Sequence, residues 1–93
     1  MKEITFDDFY QIYQKESLSV LDVREVEEFE VLHLEGARNL PISQLADTYE
    51  QLDKAKSYYV ICKSGIRSAR ACQFLAEQGY EIINVLGGMD ALE

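Results

Sequence analysis

Cys62 stands where an apolar run ends and a basic, glycine-containing stretch begins. Tyr58-Tyr59-Val60-Ile61 precede it, and Lys63-Ser64-Gly65-Ile66-Arg67-Ser68 follow, with Arg70 close behind. A thiol reacts as its thiolate, and an ordinary cysteine is mostly protonated near neutral pH. Three features here favour the anion. Lys63 and Arg67 add positive charge. The N-terminus of a helix expected to begin near Ser68 adds a partial charge felt within its first turn. Gly65 permits a tightly curved loop whose backbone N–H groups converge on an anion, and Ser64 and Ser68 add hydroxyl donors. His33 is the only histidine and is remote in sequence. Activation by field and donors, without a general base, is therefore expected. The competing reading is a buried structural cysteine, common for this residue type, and the basic loop argues against it.

Loop length bears on which substrate fits. Four residues, Lys63 to Ile66, separate Cys62 from Arg67. A cradle for a phosphoryl group must contact three oxygens around the attacking sulfur, and the tyrosine-phosphatase pattern places five residues between Cys and Arg. Adding one position here selects Ser68, which has no guanidinium to grip an oxyanion in bidentate fashion. The shorter loop suits one extra sulfur atom carried on the cysteine. A phosphatase or arsenate reductase on the same fold is the reading it disfavours.

The elements that must position Cys62 follow from apolar periodicity. Ile4 to Phe6 reads as a short strand, and Asp7 as the cap of a helix bearing Phe9, Tyr10, Ile12 and Tyr13. Leu18 to Val23 is a buried-strand candidate containing Asp22, just before Arg24. Val26, Phe29 and Val31 or Leu32 lie at helical spacing in an acidic segment. Ala37 to Leu40 is a short strand stopped by Pro41, and Ser43 a candidate cap for a helix with Leu45, Tyr49 and Leu52. Tyr58 to Ile61 is continuously apolar and is expected at the centre of a sheet. Ser68 to Gln78 reads as a helix closed by Gly79, and Ile82 to Val85 as the last strand. This alternation predicts an α/β fold with a mainly parallel sheet covered by helices on both faces. Ligands bind beyond the carboxyl ends of strands in such sheets, so one pocket is expected to hold Cys62, Asp22 and Arg24.

The totals set bounds. Ninety-three residues make one domain, 1–93, and 47% apolar with 28% charged residues is an ordinary globular composition. The opening MKEITFDDF carries acids where a signal peptide needs an apolar stretch, and no run approaches the length of a membrane span, so a cytoplasmic protein without membrane contact is expected. A net charge of −8 argues against nucleic-acid binding. Cys62 and Cys72 are expected as reduced thiols and cannot alone make a structural zinc site, so neither metal nor cofactor is expected. Charge is uneven: no acid lies between Asp53 and Glu77, while Glu25, Glu27, Glu28, Glu30 and Glu35 crowd one earlier segment. A solvated helix face explains the latter as well as a docking face does. Cys72, at helical spacing with Ala69 and Leu75, reads as core packing, and His33 as a hydrogen-bonded structural residue.

Four motifs then carry a resemblance. "LDVRE" at 21–25, "HLEGARNLP" at 33–41, "CKSGIRS" at 62–68 and "VLGGMDAL" at 85–92 occur in this order and spacing, and the chain resembles a single-domain rhodanese, a sulfurtransferase. The resemblance implies a three-layer fold with a central, mainly parallel sheet of about five strands. It also implies a ping-pong reaction: Cys62 takes the outer sulfur of a donor such as thiosulfate, becomes a persulfide, and yields that sulfur to a thiophilic acceptor, a thiol or a partner protein. By carry-over, Lys63, Ser64, Gly65, Ile66, Arg67 and Ser68 wrap the persulfide, Lys63 and Arg67 attract the donor anion, and Asp22 and Arg24 support the loop. A monomer is expected. The alternative within the same chemistry is a sulfur-carrier module that passes persulfide sulfur to one partner protein with little thiosulfate turnover. Leu92 stands where the family often has tryptophan, which touches C-terminal packing and no catalytic residue.

Overall fold

The computed structural model describes residues 1–92. Five strands form one parallel sheet: β1 (Lys2–Thr5), β2 (Ser19–Asp22), β3 (Arg38–Asn39), β4 (Ser57–Ile61) and β5 (Glu81–Leu86), in the order β1-β5-β4-β2-β3. The apolar strand β4 is central, pairing Ile61 with Asp22 on one side and Val60 with Asn84 on the other. Helices α1 (Phe6–Tyr13), α2 (Val26–Val31), α3 (Leu45–Thr48) and α4 (Ile66–Glu77) connect the strands, and a closing 3-10 turn spans Gly88–Leu92.

Strand alternation splits the core in two. Leu21, Val60 and Ile82 point to the face packed by Ala71, Cys72 and Leu75 of α4. Their neighbours Val20, Ile61 and Val85 point to the face packed by Phe6 and Phe9 of α1 and by Met89. Successive side chains alternate across a strand, so strands with no polar residue between apolar ones must be covered on both faces. The three-layer expectation is met.

Local details refine or differ from the sequence reading. The first strand is Lys2–Thr5, not Ile4 to Phe6, and Phe6 already opens α1. Helix α1 is capped by Thr5, whose Oγ1 accepts the Asp8 N–H at 3.2 Å, and Asp7 instead lies in the first turn. Pro41, not Ser43, opens the run that follows β3, which is a chain of 3-10 and α turns through Gln51; the Ser43 hydroxyl donates to Glu25 at 2.7 Å. Helix α2 buries none of its residues, and Val31 is 86% exposed, so its helical spacing of apolar residues marks no core face. Finally, α4 begins at Ile66, two residues before the apolar periodicity does, because Gly65 enters it at φ +102°. Its other end is as expected: Gly79, at φ +93°, donates to Ala76 O and Tyr80 to Leu75 O, the paired bonds of a glycine-terminated helix.

Candidate active site

Cys62 immediately follows the C-terminal end of β4, and Gly65 turns the chain back into α4. The Gly65 N–H donates to Cys62 Sγ at 3.1 Å, and Ser68 Oγ, in the first turn of α4, lies 3.3 Å from the same sulfur. As a thiol, Cys62 donates to that hydroxyl; ionised, it accepts from it, since a hydroxyl rotates to suit. Burial opposes the charge on Cys62. The Ser68 hydroxyl and the backbone N–H groups of Ser68, Gly65 and Ser64 outweigh it, so the thiol sits below its ordinary value. Cys62 and Ser68 are both fully buried, whereas Lys63 and Ser64 are exposed.

The 3-10 turn that follows β5 clasps the loop. Met89 N–H donates to Cys62 O at 2.8 Å and Asp90 N–H to Lys63 O at 2.9 Å. Gly88 sits so close that a Cβ there would collide with Cys62 O and come within 2.6 Å of Lys63 O. From the same strand, Asn84 Nδ2 donates to Gly65 O at 3.3 Å.

Asp22 and Arg24 form a buried pair that braces the end of β2. Arg24 Nη2 reaches Asp22 Oδ2 at 2.8 Å and Leu32 O at 2.7 Å, while Nε reaches Asp22 Oδ1 at 3.0 Å. Asn39 Nδ2 spans the same corner, donating to Asp22 O and Arg24 O at 3.0 and 2.9 Å. No hydrogen bond joins Asp22 or Arg24 to Cys62 among the described residues. Arg24 instead lines a groove of about 310 Å³ beside the loop, with Glu28 and Lys63 and the apolar Val31, Leu32 and Met89.

The cations of the loop are not as solitary in space as in sequence. Arg67 is held by Glu28 of α2, Nη1 to Oε1 at 2.6 Å and Nη2 to Oε2 at 2.9 Å. That bond, with a smaller backbone contribution from Glu25, pushes Glu28 down to about 2 against its partial burial, and the same pairing raises Arg67. Lys63 Nζ lies 2.6 Å from Asp90 Oδ1. Sequence reasoning missed Glu28 and Asp90 as site residues. The spacing of Glu25 and Glu28 is that of a capping box, which the structure contains, and was the one local sign that Glu28 has a fixed position.

Cys72 and His33 lie in packed or hydrogen-bonded positions. Cys72 is fully buried in the α4 core, where burial and the neighbouring Cys62 push its thiol up to about 12. His33 stacks on Phe29 at 3.8 Å and bonds Phe29 O at 2.7 Å.

Comparison with known proteins gives the class. The family model of the rhodanese-like domain matches residues 5–93, and the chain belongs to that family. YtwF of Bacillus subtilis, named as a candidate sulfurtransferase, is 41% identical over 89% of this chain and 81% of its own length. YrkF of the same organism, named as a candidate sulfur carrier protein, is 38% identical over 94% of this chain; the chain spans 48% of that relative's length. The crystal structure of SSP1007 from Staphylococcus saprophyticus superposes with a TM-score of 0.94 at 31% identity, covering 100% of this chain and 94% of the other. Family membership and these relatives support sulfur transfer as the general chemistry.

Proposed function

We propose that the protein is a sulfurtransferase in which Cys62 carries the transferred sulfur as a persulfide. The Cys62 thiolate attacks the outer, sulfane sulfur of a donor such as thiosulfate. A new S–S bond forms, the donor's own S–S bond breaks, and its electron pair departs with sulfite. An acceptor thiolate then attacks the outer sulfur of the persulfide and expels Cys62 as thiolate, so the enzyme returns unchanged with no outside oxidant or reductant.

The observation that carries this reading is the setting of Cys62 Sγ. It faces a backbone N–H and a buried hydroxyl at the start of α4, with its thiol below the ordinary value. The nest that lowers the thiol is suited to hold the outer sulfur's negative charge as well. Arg67, tied to Glu28, is not presented as a phosphate clamp would require.

Incubation with thiosulfate should add one sulfur atom to the wild-type protein by mass, and Cys62→Ser should abolish the gain. A wild type that gains sulfur from neither thiosulfate nor methanethiosulfonate, and so forms no thiocyanate with cyanide, contradicts the proposal. The carrier reading is favoured by one observation, the carboxylate partners of Lys63 and Arg67, which weaken the attraction for a free anion. Slow thiosulfate turnover with rapid loading from a protein-bound persulfide would support it.

A further inference from the structure

Every cation at the mouth of the loop faces a carboxylate. Arg24 lies on Asp22, Arg67 on both oxygens of Glu28, and Lys63 on Asp90. Glu28 and Asp90 also line the groove beside the loop, together with Lys63 and Arg24. Once Cys62 ionises, the cluster carries a net negative charge, and the protein around it is at −8. The groups that contact the thiolate are uncharged: the Gly65 N–H and the Ser68 hydroxyl. Such dipoles stabilise charge on a sulfur already in place, but they attract a distant ion far less than an unpaired guanidinium does, because dipole fields fall off faster with distance than Coulomb fields.

From these pairings, and on the persulfide reading above, we propose that Glu28 is a specificity-determining residue: by holding Arg67, it slows reaction with dianionic donors such as thiosulfate relative to sulfane-sulfur compounds of one negative charge or none. Glu28 acts through Arg67 and is a positioning residue. The reaction is the same for either donor class. The thiolate bonds to the outer sulfur, the donor's S–S bond breaks, and the pair leaves on sulfite from thiosulfate or on methanesulfinate from methanethiosulfonate.

Those two anions are the probes, since both deliver sulfane sulfur from an oxidised sulfur centre and differ by one charge. The readout is the second-order rate of persulfide formation on Cys62, followed by mass, in wild type, Glu28→Gln and Asp90→Asn. Glutamine keeps an acceptor for the Glu25 N–H, so the start of α2 survives the change. Coulomb energy scales with the charge of the donor, so freeing Arg67 should raise the thiosulfate rate by about the square of its effect on methanethiosulfonate: roughly tenfold against roughly threefold. Asp90→Asn should act in the same direction. Added salt should speed thiosulfate loading of the wild type and do so less in Glu28→Gln, because the variant has one negative charge fewer at the site for salt to screen. Equal factors for both donors, or a fall for both, would overturn the assignment while leaving sulfur transfer intact. A wild type that accepts sulfur from neither donor would overturn the sulfur-transfer reading, and this selectivity with it.

Discussion

Arg67 and Glu28, separated by 39 residues in the chain, meet in a bidentate pair with N···O distances of 2.6 and 2.9 Å. The pair ties α2, which buries none of its own residues, to the first turn of α4 beside Cys62. A short exposed helix with no core face is thereby fixed by polar contacts at the site.

This pair gives a signed pH dependence. Glu28 falls from an ordinary 4.5 to about 2 because Arg67 bonds its carboxylate. A depressed carboxyl adds stability that is present above its unfolded value and lost as pH falls through the folded one. Denaturant midpoints should therefore drop between about pH 4.5 and pH 2. Glu28→Gln should flatten that part of the profile, and an unchanged profile would mean the pair does not persist in solution.

Ser68→Ala removes the only side-chain donor that contacts Cys62 Sγ among the described residues. A hydrogen bond to a charged group is worth about 1.5 kcal/mol or more, or roughly tenfold in rate. Alkylation of Cys62 near neutral pH should slow by about that factor. Its pH–rate midpoint should move upward, since the variant thiolate loses a stabilising donor. An unmoved midpoint would assign the activation to the backbone alone.

The two thiols should behave differently. Cys72 is held near 12 by burial and by Cys62, while Cys62 is held below its ordinary value. Limiting iodoacetamide at mildly alkaline pH should label Cys62 alone in the folded protein, and peptide mapping reads the result directly.

Gly88→Ala should disrupt the clasp between β5 and the cysteine loop. Gly88 adopts φ +56°, and the added methyl would meet the Cys62 and Lys63 carbonyls. The cost should be about 1–3 kcal/mol, seen as a lower thermal midpoint and as slowed persulfide formation. A variant as stable and as fast as wild type would show that the loop can shift without penalty.

Asp22→Ala leaves Arg24 charged and buried at 6% exposure. Breaking a buried pair in this way costs about 3–5 kcal/mol, so the unfolding midpoint should fall sharply. A loss within 1 kcal/mol, on the order of a surface substitution, would mean that water compensates Arg24.

How much of this was legible in the sequence depended on whether the cause was local. Val60 and Ile61 are apolar on both sides of the strand, which placed β4 at the centre, and Gly79 marked the end of α4 by its own backbone freedom. The expected start of α4, at Ser68, falls two residues late because Ile66 and Arg67 carry no core-facing periodicity: Ile66 is 64% exposed. The helical spacing of Val26, Phe29 and Val31 or Leu32 predicts helix α2 but not its exposure, since nothing in spacing distinguishes an apolar stripe that is buried from one that is not. Cys62 and its donors could be read because Gly65 and Ser68 are three and six residues away. Glu28 and Asp90 could not, because a salt bridge between distant segments leaves no periodicity in either.

The most direct test of the account is the mass of the protein after exposure to a sulfane-sulfur donor, followed by removal with cyanide. The account predicts a gain of one sulfur atom on Cys62, its release as thiocyanate, and no gain in Cys62→Ser. A wild type that stays at its original mass with both thiosulfate and methanethiosulfonate, or a Cys62→Ser variant that still takes up sulfur, would contradict it.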